Sequence, residues 1–225
     1  MLPILLYLCF YFMWATGINI TAAVLLGTPE QDMGGYGFGP KTSGFISFAL
    51  AIGVSLGEGL GHWLNDWVAA RYTWRHRGLF KPEARLPVTY LGTIVMVPGL
   101  VLIRQSFEHH LNWLGIAFGW GIYIFGAMSS SVVVTAYAVE WYPHASGEVL
   151  AFVNLMRVMG GFAVGHCQQP WGLQVAYAAS FGTQAAVVVA AGCILTHIYY
   201  HGESLRVKGG PLKYPGLAVP SVSEG

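Results

Sequence analysis

Six long apolar stretches follow one another along this 225-residue chain, separated by short polar links. A run of about 20 apolar residues spans the hydrocarbon core of a bilayer. In lipid every backbone N–H and C=O must be satisfied internally, and a helix does this within one segment. The chain is therefore expected to be an all-α membrane protein with six transmembrane helices. The composition agrees: 55% of residues are hydrophobic and only 9% charged, against about 25% charged in a soluble domain.

The expected helices span about residues 3–26, 41–70, 86–103, 113–141, 146–167 and 173–200. Pro3 falls in a first turn, where proline is tolerated, whereas Pro98-Gly99 should kink or loosen the third helix. Gly27 to Pro40 reads as a glycine-rich loop holding Glu30 and Asp32, and Gln168 to Gly172 as a break around Pro170. Residues 1–200 then form one transmembrane domain. Residues 201–225, rich in Gly, Pro and Ser, read as a disordered cytoplasmic tail. The first run lacks a basic leader and is too long for a signal-peptide core, so it reads as a retained helix.

Charge placement sets the expected orientation. Arg71, Arg75, Arg77, Lys81 and Arg85 cluster between the second and third helices, and Arg206, Lys208 and Lys213 lie in the tail. With six spans both regions share one side, and Lys/Arg-rich loops stay in the cytoplasm. Both termini are expected there. A formal net charge of +1 supplies no field to attract nucleic acid.

Small residues recur at every fourth position of the second helix, at Ala49, Gly53, Gly57 and Gly61. That spacing opens a groove for close approach of another helix. Gly161 and Gly165 repeat it in the fifth helix, and Gly115 and Gly119 in the fourth. The groove suits either a sliding contact or static close packing. Glu58 lies well inside the second helix, with His62 and then Asp66 further along the same side. A carboxylate in a span normally faces a cavity or a partner, so Glu58 suits proton or organic-cation binding, or a buried protonated strut. Asn19, midway along the first helix, is a second polar candidate. Arg157 in the fifth helix is expected to pair with Glu140 or Glu148, or to snorkel toward the headgroups.

Other chemistry finds little support. Cys9, Cys167 and Cys193 lie far apart in apolar surroundings with no metal or disulfide spacing. Eight histidines include the pair His109-His110, but no ligand motif follows it. Ser129-Ser130-Ser131 has no His/Asp pattern beside it. An intramembrane enzyme is therefore not expected, nor a metal or other cofactor.

From Gly61 to Gly78 the chain reads GHWLNDWVAARYTWRHRG. A helix end, an aspartate and an arginine-rich loop in this order resemble the cytoplasmic signature of the major facilitator superfamily, which lies between the second and third helices of each six-helix half. Gly61, Leu64, Asp66 and Arg71 occupy the matching positions, although the spacing is stretched and Trp67, not a basic residue, follows Asp66. KPEARLP (81–87), AVEWYPHASGEVLAFVNLMRVMGGFAVG (138–165) and QQPWG (168–172) resemble the C-terminal half of fungal drug:proton-antiporter-like facilitators of the plasma membrane. The resemblance runs from about Phe10 to Lys213. It implies half of a major-facilitator-type bundle, with Asp66, Arg71, Glu140, Glu148 and Arg157 holding the cytoplasmic gate.

The expected function is proton-coupled transport of a small organic solute by alternating access, as the C-terminal half of a major facilitator transporter, with Glu58 and Asn19 as candidate substrate- or proton-binding residues and Glu58 the first choice for protonation. The superfamily builds its path between two six-helix halves, so a missing N-terminal half or a homodimer partner is expected. Met1 stands almost at a helix start, which favours a truncated product or a misplaced start. The competing expectation is a non-transporting membrane protein that associates with other helices or transporters through its glycine faces.

Overall fold

The computed structural model describes residues 2–27, 37–78, 81–109, 112–175 and 177–209. Among these it contains six long helices: α1 (Leu2–Gly27), α2 (Pro40–Arg75), α3 (Pro87–Glu108), α4 (Trp113–Trp141), α5 (Ser146–Val175) and α6 (Tyr177–Gly209). All six carry a segment long and apolar enough to cross a membrane. Short 3-10 turns at Pro82–Arg85 and Pro143–Ala145 lead into α3 and α5. Most of the glycine-rich loop, with Glu30 and Asp32, lies outside the described residues, as do His110 and residues 210–225 of the tail.

α4 is the hub of the bundle. It packs on α3, α2, α1 and α5, while α1 packs on α5 and α6, and α3 on α6. The apolar segment of α4 is 61% buried, against 22% for α2 and 28% for α5. Small residues explain how the backbones come so close. A Cβ added at Gly99 would meet the Gly119 carbonyl oxygen at 2.8 Å, and one at Gly119 would meet that of Gly99 at 2.9 Å. Tyr7, Tyr11, Tyr123, Tyr137 and Phe181 fill the interior between these contacts.

Four local expectations are corrected. α3 does not stop at Ile103 but continues to Glu108. α2 does not stop near Ala70 but continues to Arg75, carrying Arg71 and Arg75 into its last turns. It ends where Arg77 takes a positive φ of 54° and the Gly78 N–H donates to the Thr73 carbonyl at 2.9 Å, the left-handed ending that closes many helices. α5 runs through Pro170 instead of breaking there. α6 extends to Gly209, so residues 201–209 are helical and not part of a disordered tail. In each case the helix outlasts its apolar segment, because each added residue of a nucleated helix gains a backbone hydrogen bond; at Pro170 the loss of one such bond does not end α5.

α2 has 36 residues, about 54 Å at 1.5 Å per residue, which exceeds a hydrocarbon core of about 30 Å. Its excess carries an aromatic and basic collar. Trp63 and Trp67 stack with centroids 6.5 Å apart, and the Arg71 guanidinium lies 5.5 Å from the Trp67 ring centre. Tryptophans of this kind sit at the level of the lipid headgroups.

Candidate functional site

The glycine row of α2 is filled from inside the bundle. A Cβ at Gly53 would meet the Gly121 carbonyl oxygen at 2.7 Å, one at Gly57 that of Phe125 at 2.6 Å, and one at Gly61 the Ser129 Cα at 2.9 Å. Ser129 Oγ then donates to the Gly57 carbonyl at 2.9 Å, so the groove is also pinned by a hydrogen bond. On α5, a Cβ at Gly161 would meet Thr16 Oγ1 of α1 at 2.8 Å, and one at Gly165 would meet Ile20 Cδ1 at 3.5 Å. These faces are occupied by neighbouring helices of the same chain.

Glu58 is exposed on α2, beside that packed row, and His62 and Asp66 are exposed further along. Asn19 is exposed on α1. Arg71 lies over Trp67. Glu148 is exposed in the first turn of α5.

Arg157 has different partners from those anticipated. Its Nη2 donates to Ser131 Oγ and, at 3.0 Å, to Thr135 Oγ1, one turn apart on α4. The Phe12 ring of α1 lies beneath the guanidinium, 5.1 Å from ring centre to Cζ. Neither Glu140 nor Glu148 pairs with it. Glu140 instead receives Arg85 Nη1 at 2.7 Å, which ties the connection between α2 and α3 to the end of α4. Arg157 stands 11 residues into α5, about 16 Å from its start at 1.5 Å per residue. It is therefore a mid-membrane cation, a placement that costs about 3 kcal/mol on insertion scales. Its Nε is buried without a hydrogen-bond partner.

A second polar track crosses the bundle. Gln168 of α5 donates from Nε2 to Thr21 Oγ1 of α1 at 3.1 Å. Gln184 of α6 donates from its Nε2 to Gln168 Oε1 at 3.0 Å and to Ser180 Oγ at 3.1 Å. Gln168 and Gln184 are fully enclosed. Sequence reasoning missed this track and the hydroxyl pair of Ser131 and Thr135. The available signal was a carboxamide inside each apolar run, at Gln168 and Gln184, which only a partner across the bundle explains.

No protein-family model and no solved structure matches the chain. Named relatives do. An MFS-type transporter of Aspergillus oryzae, oryF, is 23% identical over 162 residues, covering 72% of this chain and 33% of that protein. The chain is a relative of fungal MFS-type transporters. An uncharacterized transporter of Schizosaccharomyces pombe is 22% identical over 183 residues, 81% of this chain and 38% of its own length. The efflux pump radE of Floropilus chiversii is 26% identical over 178 residues, with 76% and 32% covered. The chain thus spans about a third of the length of the curated relatives it matches.

Proposed function

We propose that the chain is the C-terminal half of a transporter that moves a small organic solute across the plasma membrane by alternating access, coupled to protons. The observation that carries this reading is the match to named transporters along most of the chain. The distribution of polar residues supports it. Glu58 and Asn19 are exposed in the six-helix bundle, and lipid does not tolerate a bare carboxylate. They therefore look onto a cavity or onto further helices, and Glu58 is the proposed proton carrier. The apolar faces of α2 (Phe45, Ile52, Leu56) and α5 (Phe152, Val158, Phe162), also exposed, would meet lipid and a second six-helix half, whether an N-terminal half or a second copy.

Asp66, Arg71, Glu140 and Glu148 are proposed to serve the gate at the cytoplasmic end, joined there by Arg85 through Glu140; Arg157, expected in the same gate, lies about 16 Å deeper along α5 and is not assigned to it. In this arrangement the arginine-rich connection and both termini face the cytoplasm. The test is solute flux by the full-length protein in proteoliposomes with an imposed pH gradient. Glu58→Gln is expected to remove the gradient dependence while the protein remains folded. Unchanged, gradient-driven flux in that variant would reject Glu58 as the proton carrier, and absence of any flux in the parent protein would reject transport.

A further inference from the structure

We propose that Arg157 is an anion-binding subsite whose ligand is the carboxylate of an organic acid. The inference deepens the transport reading, on which it rests for the word substrate, by giving that substrate a chemical class. Its basis is an imbalance in how the guanidinium is held. Ser131 and Thr135 satisfy donors of Nη2, and the Phe12 face lies against the cation. Hydroxyls accept hydrogen bonds but neutralise no charge. Nε, buried, keeps its proton unpartnered, and of the five donors of a guanidinium these hydroxyls take up only those of Nη2.

Among the described residues no carboxylate pairs with Arg157. Glu140 is engaged by Arg85. Glu148 lies nine residues earlier on the same helix, about 13 Å along its axis. A residue serving only to pack α5 against α4 and α1 would be served by Met or Leu without the penalty of a mid-membrane charge. The two hydroxyls instead hold the cation in one orientation, between three helices, with donors left over. A remaining donor can hold one carboxylate oxygen by a charge-assisted hydrogen bond. Phe12 adds an apolar wall, which suits an acid with an aromatic or aliphatic body.

Binding separates this site from transport. The full-length protein, purified in detergent, is titrated with benzoate and with its neutral counterpart benzamide, and the thermal midpoint is followed. Benzoate is expected to raise the midpoint and benzamide is not. Arg157→Gln should weaken benzoate binding by about tenfold or more, the usual worth of a hydrogen bond to a charged group. Arg157→Lys, which keeps the charge and loses the guanidinium geometry, should retain weakened binding and guards against a glutamine variant that does not fold. Equal responses to benzoate and benzamide, or benzoate binding unchanged in both variants, would overturn the proposal. Arginine-dependent benzoate binding without flux would leave the site standing and sink transport. Flux with no benzoate response would do the reverse.

Discussion

Arg85 and Glu140 meet at 2.7 Å, with side chains 17% and 26% exposed, and so join the turn before α3 to the last residues of α4. The pair sits at the end of the bundle that carries the basic connection, where two elements distant in sequence must stay in register. Partial burial strengthens such a pair beyond a surface contact, because less solvent screens it. In a double-mutant cycle with Arg85→Gln and Glu140→Gln, the two changes are expected to be non-additive by about 1 kcal/mol. Equilibrium unfolding in mixed detergent measures this. Strict additivity would mean that the contact contributes nothing.

Neighbouring glycines of α2 should respond in opposite ways. A Cβ at Gly57 would sit 2.6 Å from the Phe125 carbonyl oxygen, whereas one at Gly59 meets nothing within 4 Å. Gly57→Ala must push α2 off α4, and overpacking of this kind costs about 1–3 kcal/mol. Gly59→Ala should be neutral or gain up to about 1 kcal/mol, since alanine favours a helix interior. Thermal midpoints of the two variants decide the matter, and equal midpoints would contradict the packing described.

The glutamine track yields the third expectation. Gln168 bonds to both Thr21 and Gln184, whereas Gln184→Leu removes one of these contacts and the bond to Ser180. Hydrogen bonds between membrane helices average about 0.6 kcal/mol each. Gln168→Leu is therefore expected to cost about 1 kcal/mol in unfolding free energy. A Thr21→Val, Gln168→Leu double variant should cost less than the sum of its singles, because they share a bond. A Gln168→Leu variant as stable as the parent would show the track to be without energetic weight.

How much was legible beforehand differs by residue. The glycines at 53, 57 and 61 announced a close helix contact through their spacing, and α4 fills it. Arg157 was also visible as a charge inside a span, and Glu140 as one of its candidate partners. Their partners were not, because a charge specifies only that some counter-group exists. Spacing along a helix says which way a side chain points, and nothing about which of five other helices waits there. Arg157 found hydroxyls on α4, and Glu140 found an arginine 55 positions earlier in the chain. The ends of α2, α3, α5 and α6 were misjudged for a simpler reason. Apolar composition marks where lipid ends, while the helix itself continues through Arg75, Glu108, Pro170 and Gly209.

By itself the sequence determined that six helices cross a bilayer, since runs of apolar residues have no other stable state in lipid. It determined as well which helix faces are small enough to meet. Only the tertiary structure decided that α4 stands at the centre and that Arg157 is held by alcohols and not by a carboxylate. Such pairings depend on contacts between residues far apart in the chain, and no local pattern encodes the partner of a buried charge.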